Sequence, residues 1–217
     1  RMTTNGINFV TDDPNVGGVT DITEPTVTLI DAASVFEVKK MSTDLTDDPA
    51  ILSSGDTLRY TITVKSIGTE DTVNSFISDQ LPANTTYVAG STTLNGTAIV
   101  EPIPGTLPLQ SGIPINAVED PTVGKMRADV LVTLLNVATI TFDVTINANV
   151  VNGTIISNQA YVSADGIASG AMADTPSDDP GTPLIPNDPT RDVVGNQPLL
   201  DALKTVSIVV DNGTAGI

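Results

Sequence analysis

The sequence predicts an all-β chain: a β-sandwich core with extended segments at both ends. Three observations carry the prediction. Val, Ile and Thr are abundant, and their stiff χ1 angles suit a pleated surface better than a helix. Apolar and polar residues alternate with period two along many short runs. Those runs are separated by Gly, Pro, Asn and Asp, and no segment sustains a helical period. Of the 217 residues 40% are hydrophobic but only 3% aromatic, so the core must be built from Val, Ile, Leu and Ala.

Taken in order, Val35 to Lys39 is the first strand. The turn Gly55-Asp56 leads into Thr57 to Val64, where Leu58, Tyr60, Ile62 and Val64 share one face and Thr57, Arg59, Thr61 and Thr63 the other. Gly68 ends that run. Val73 to Ser78 is the next, stopped by Leu81-Pro82. Thr85 to Val88 and Thr92 to Leu94 flank Gly90, and Asn95-Gly96 turns the chain into Thr97 to Val100. The stretch from Glu101 to Pro121 is rich in Pro and Gly and reads as a long loop. Asp129 to Leu135 follows as a strand, although Met126, Ala128, Leu131 and Leu135 also allow a helix over Lys125 to Leu135. Ala138 to Ile146 is a further strand with Ile140, Phe142, Val144 and Ile146 on one face, and Asn152-Gly153 turns into the last, Thr154 to Ser163.

The chain also repeats itself. Thr11-Asp12-Asp13-Pro14 matches Ser177-Asp178-Asp179-Pro180, and Glu24-Pro25-Thr26 matches Asp188-Pro189-Thr190. Val38-Lys39 matches Leu203-Lys204, with Ser42 answering Ser207. Each match lies about 165 residues downstream, the signature of a tandem array. The expected organisation is the tail of a preceding unit at 1–31, a complete sandwich at 32–164, a semi-extended Pro/Asp-rich linker at 165–198 and the opening strand of a further unit at 199–217.

Charge and composition exclude several function classes. Nine basic residues against 26 acidic ones give a net charge of −17, without the clustered Lys/Arg that a phosphate backbone needs, so nucleic acid is not expected as a partner. The chain has no His, Cys or Trp, which rules out Ser-His-Asp and Cys-His catalysis, zinc fingers, iron–sulfur clusters and disulfides within it. No apolar run approaches the ~20 residues of a membrane span, and no signal-peptide core follows Arg1-Met2.

At this point the residues resemble a known family. Ser54-Gly55-Asp56-Thr57-Leu58-Arg59-Tyr60-Thr61-Ile62-Thr63-Val64 with Ile67-Gly68-Thr69 is similar to the GDxxxYxIxVxNxG strand pair of a prokaryotic surface repeat, the domain of unknown function eleven. Ser78-Asp79-Gln80-Leu81-Pro82 with Thr86-Tyr87-Val88 resembles its following hairpin, and Ile140-Thr141-Phe142 with Ser157 to Ser163 its last two strands. The sequence departs from the family at Lys65-Ser66, where Thr-Asn is usual, and in the short connection before Ile140. The resemblance covers 32–164 and implies an immunoglobulin-like sandwich, related to collagen-adhesin-type domains, on an extracellular stalk, adhesin or filament.

Related adhesin domains join a Lys on the first strand to an Asn on the last, assisted by an acid from a middle strand. The resemblance makes Lys39 or Lys40, Asp79 and Asn158 the candidates here. The chemistry asks for a neutral amine and a protonated acid, and one apolar pocket prepares both, because burial disfavours each charged form. Asn158 shares a face with Ile156, Ala160 and Val162 and so points inward. The lysine is ambiguous: Phe36 and Val38 would bury Lys40, whereas the match with Lys204 selects Lys39.

Two further sets of residues invite a role. The acid pairs Asp12-Asp13, Asp47-Asp48 and Asp178-Asp179 suggest calcium, with Asp178, Asp179, Asn187 and Asp188 as a ligand set. Sequons at Asn84, Asn95, Asn152 and Asn212 are glycan acceptors in an exported glycoprotein. The functional expectation is a structural subunit of an extracellular filament, polymerising head to tail with itself on a cell surface or S-layer by donating terminal strands, and not a turnover enzyme. The alternative is an adhesive module whose 101–121 loop contacts a glycan or protein.

Overall fold

The computed structural model describes residues 2–4, 7–9, 33–46, 51–128 and 136–195, and divides the chain into two compact units, Arg1–Asp31 and Ala32–Ile217. In the first unit β1 (Met2–Thr4) and β2 (Ile7–Phe9) pair antiparallel. The second unit is an antiparallel β-sandwich.

Its first sheet is built on β3 (Phe36–Asp44) and β4 (Thr57–Ser66). After them come β5 (Thr72–Asp79), β6 (Thr85–Tyr87), β7 (Thr93–Leu94), β8 (Thr97–Ala98), a 3-10 turn at Pro108–Gln110 and β9 (Ile113–Pro114). The long β10 (Val137–Ile146) follows, then β11 (Ile155–Asn158), β12 (Ala160–Gly166), β13 (Gly170–Ala171), β14 (Thr175–Pro176) and β15 (Thr190–Val193). One sheet runs β3-β4-β10-β7-β8, with β6 also on β10; the other runs β13-β12-β5-β9, with β14 also on β12; β11 pairs with β15 apart from both. Consecutive strands such as β4 and β5, or β9 and β10, thus land in different sheets, as crossed connections in a sandwich require.

The core follows from alternation. Along β4, Leu58, Tyr60, Ile62 and Val64 are buried, and β10 sets Val144, Phe142, Ile140 and Ala138 opposite them. The aromatic pair Tyr60–Phe142 contributes roughly 0.2–1 kcal/mol relative to an Ala–Ala pair at the same place. The second sheet answers with Ile77 from β5 and Ala160, Val162 and Ala164 from β12. On β3 the same parity buries Phe36, Val38 and Lys40.

Three segments differ from the sequence expectation. The middle of the 101–121 loop turns inward: Leu107, Leu109, Ile113, Ile115 and Ala117 are buried, and Ile113 pairs with Ile77. Its Pro and Gly content hid an alternation of apolar residues. The run from Thr154 to Ser163 breaks at Gln159 into β11 and β12, which pair with different strands. The stretch from 165 to 195, expected as a linker, contributes the end of β12 and β13, β14 and β15, with Thr190 and Val194 buried. Asp-Pro-rich composition masked a segment whose backbone bonds are nonetheless satisfied within the sandwich. The strand or helix expected over 129–135 and the opening strand expected at 199–217 lie outside the described residues, as do the acid pairs at 12–13 and 47–48 and the matches at 11–14, 24–26 and 203–207.

Candidate functional site

Three strand positions converge between the two sheets. Lys40 enters from the middle of β3, Asp79 from the last residue of β5 and Asn158 from the last residue of β11. Their exposures are 0%, 1% and 4%. Lys40 takes a core position because Phe36 and Val38 precede it at period two, and it stands opposite Ile62 in the ladder with β4. Asp79 is brought alongside Asn158 by β12, whose first residue, Ala160, is the ladder partner of Asp79.

The Lys40 ammonium nitrogen donates to Asp79 Oδ2 at 2.5 Å. It lies 4.8 Å from the centroid of the Tyr60 ring and 5.6 Å from that of Phe142, two rings themselves 5.2 Å apart. Burial lowers the Lys40 pKa to about 8 against the opposing pull of Asp79. Burial likewise raises the Asp79 carboxyl, with Lys40 and the Asn158 amide acting in the other direction. Each group is pushed toward its neutral form, so one proton moving from Nζ to the carboxylate leaves an amine and an acid side by side. The buried atoms Asp79 Oδ1 and Asn158 Nδ2 form no well-aligned hydrogen bond, although the Asn158 amide lies near enough to the Asp79 carboxyl to pull its pKa down. These are an acid oxygen and the amino group an attack on the Asn158 carbon would expel.

The neighbouring Lys39 points the other way. Its side chain is 38% exposed and pairs with Asp178 Oδ2 at 2.5 Å. That hydrogen bond raises the Lys39 pKa. Partial burial pushes the Asp178 carboxyl up, but Lys39 and the Asn187 N–H outweigh it and hold the pKa below the usual value. Of the two lysines open at the sequence level, only Lys40 shares a pocket with Asp79 and Asn158.

The calcium set does not converge. Asp178 Oδ1 accepts from Asn187 N, Asp179 Oδ1 from Gly181 N, and Asp188 from Asp179 N and Thr182 Oγ1. These are turn-stabilising bonds. Among the described residues no three acidic side chains gather where a metal ion would sit. The sequons sort by environment. Asn84 and Asn152 are exposed. Asn95 spends its amide on Asn116 O and Thr139 N, which leaves it poorly placed for a glycan. Asn212 lies outside the described residues.

Sequence reasoning placed Tyr60 on the core face but did not connect it with the lysine, and it missed β15 altogether. Thr190 Oγ1 donates to the carbonyl of Lys40 at 2.9 Å, and Ser42 Oγ donates to Asp192 at 2.6 Å. Burial raises the Asp192 pKa, with Ser42 opposing and Asp179 and Asp44 adding to it. The available signal was the match of Asp188-Pro189-Thr190 with Glu24-Pro25-Thr26.

No family model matches the chain, the surface-repeat family named above included, and no curated protein matches it. Solved structures of similar arrangement exist. The major pilin subunit BcpA of Bacillus cereus is 12% identical, with 74% of this chain and 40% of that chain covered and a TM-score of 0.43. The T6 backbone pilin of serotype M6 Streptococcus pyogenes is 18% identical, with 75% and 36% covered and a TM-score of 0.38. The collagen-binding domain of a Staphylococcus aureus adhesin is 12% identical, with 76% and 99% covered and a TM-score of 0.34. The chain therefore spans 40% of the length of the Bacillus cereus pilin.

Proposed function

We propose that this chain is a structural module of an extracellular, cell-surface filament or stalk, and that it locks its own sandwich with an amide bond between Lys40 and Asn158. The observation that carries the reading is the buried trio: an amine with lowered pKa, an acid with raised pKa and an amide whose nitrogen forms no well-aligned hydrogen bond. The neutral Nζ attacks the Asn158 side-chain carbon. The new C–N bond forms and the old one breaks: protonated Asp79 polarises the carbonyl and hands its proton to the departing amino group, and its carboxylate then takes the surplus proton from Nζ, so that the acid is regenerated. One ammonia leaves and no oxidant, metal or cofactor is consumed.

A bond formed once per molecule makes structure and not turnover. It would join the first-sheet strand β3 directly to β11, so that a pull on the chain could not peel them apart. Closing a loop on the order of 100 residues adds about 4–5 kcal/mol by the chain-entropy estimate for cross-links. The acidic surface, the surface-repeat motifs and the absence of nucleophile–base pairs that need His or Cys support the same class. Head-to-tail self-association belongs to this reading. The adhesive alternative is weakened over 107–117, where Leu107, Leu109, Ile113 and Ile115 are turned into the core, and is left to the exposed stretch around Ile103.

The test is the intact mass of the folded chain. It falls below the sequence mass by one ammonia, and Asp79→Ala, Lys40→Met and Asn158→Ala each restore the full mass expected of that variant. A wild-type mass equal to the sequence mass refutes the cross-link.

A further inference from the structure

The two strands that carry the reacting residues are not paired with each other. In the sheet β3 is hydrogen-bonded to β4, and β11 is paired with β15. What joins them is the chain that returns after β12. At one end of this return, Ser177 exchanges bonds with Ala160, two residues beyond Asn158: its N–H donates to Ala160 O at 2.8 Å, and its Oγ accepts from Ala160 N at 3.0 Å. The next residue bonds the lysine strand. Asp178 N donates to Val38 O at 2.9 Å, and Lys40 N donates to Asp178 O at 3.0 Å. At the other end, Thr190 stands opposite Asn158 in the β11–β15 ladder, and its hydroxyl bonds the carbonyl of Lys40 itself. Ser177 and Thr190 are 0% and 3% exposed. Between these rungs Gln159 Nε2 donates to the carbonyls of Ser177 and Asn187, pinning the return to the break between β11 and β12.

We propose that residues 177–190 form a two-runged strap that positions Lys40 against Asn158, with Ser177 and Thr190 as positioning residues for the amide-forming step. The inference rests on the cross-link proposed above and adds which part of the chain governs its rate. The Thr190 rung touches Lys40 and stands opposite Asn158 directly, while the Ser177–Asp178 rung ties the amine strand to Ala160, two residues beyond Asn158. An intramolecular attack depends steeply on such alignment, and a misplacement of about 1 Å slows it on the order of 100-fold. The strap also covers the edge of β3 over Val38 and Lys40, which keeps the amine out of water and its pKa low. Because the strap follows Asn158 in the chain, cross-linking waits until residues 177–190 have folded onto β3.

The full chain, made by cell-free translation and quenched in denaturant at intervals, reports the step by loss of ammonia in the intact mass, with circular dichroism giving the folded fraction. Thr190→Val keeps the side-chain shape and removes the donor; it slows ammonia loss about 10–100-fold per folded molecule. Thr190→Ser, which restores the hydroxyl, brings the rate back toward wild type, a rescue that a purely structural role for side-chain bulk would not give. Ser177→Ala removes the other side-chain rung and is slowed in the same sense, and it decides the matter if Thr190→Val fails to fold. Wild-type rates in these folded variants, or a Thr190→Ser chain as slow as Thr190→Val, overturn the strap. A wild-type chain that never loses ammonia overturns the cross-link itself.

Discussion

Two adjacent lysines of one strand make the same contact in opposite surroundings. Lys39 and Lys40 each place Nζ 2.5 Å from an aspartate oxygen. The Lys39–Asp178 side chains are 38% and 17% exposed, whereas those of Lys40–Asp79 are fully buried. In the first pair the hydrogen bond wins: the lysine is raised, the aspartate lowered, and both charges are reinforced. In the second, desolvation wins, and the same contact holds two groups each pressed toward neutrality. Proximity of an acid to an amine is therefore no sign of reactivity; the solvent around them decides. Strand parity made the difference, since a shift of one residue moves a side chain to the opposite face.

The largest expected effect comes from removing each amine in turn. Lys40→Met abolishes the cross-link and with it about 4–5 kcal/mol, which for a chain of this size lowers the melting temperature by roughly 10–20 °C. Lys39→Met gives up an ion pair open to water, worth about 0–1 kcal/mol, and leaves ammonia loss intact. Equal melting temperatures for the two variants would break the comparison.

The pH dependence sharpens it. In Asn158→Ala, Lys40 and Asp79 remain free to titrate. The folded-state pKa of Lys40, about 8, lies below the unfolded lysine value of 10.5, so between these values the unfolded chain binds more protons and stability rises with pH. Asp79 has the reverse sign: its folded pKa lies above 3.8, so its contribution is lost as pH climbs from there through the folded value. The exposed pair behaves in the ordinary way. Its Lys39 contribution is lost only above 10.5, and its Asp178 contribution only below 3.8. Denaturant melts of Asn158→Ala and of the double variant Asn158→Ala/Lys40→Met across this range separate the two. In the wild-type chain, cross-linking slows above about pH 8, where the single proton shared by Lys40 and Asp79 is lost.

The smallest effect concerns the acids of the strap. Their carboxylates already accept backbone and hydroxyl hydrogen bonds, so calcium and chelator leave the melting transition in the same place. A rise in melting temperature with calcium would mean that these turns rearrange around an ion.

Much of the sandwich was legible because alternation is written directly in the chain. Leu58 to Val64 and Ile140 to Ile146 declare their buried faces without help, and so does Asn158 through Ile156, Ala160 and Val162, whereas Asp79 was singled out only by the family resemblance. Lys40 was not decided in the sequence, since the repeat match and the strand parity pointed to different lysines. The structure follows parity, because Phe36 and Val38 fix the buried face of β3. The strap was illegible for another reason. Its hold on β3 uses backbone groups of Asp178, the hydroxyl of Thr190 and the half-exposed Lys39–Asp178 ion pair, and none of these leaves a mark in hydrophobic patterning. The 101–121 segment failed on composition: Pro and Gly suggested a loop, while Leu107, Leu109, Ile113 and Ile115 carried the alternation that buries its middle.

The most direct measurement is peptide mapping by tandem mass spectrometry after treating the folded chain with an amine-acylating reagent. The account predicts a branched peptide joining Lys40 to Asn158 and lacking one ammonia, with Lys39 acylated in the same molecules. A linear peptide carrying Lys40, acylated or free, beside an intact Asn158, or a branch that begins at Lys39, would contradict it.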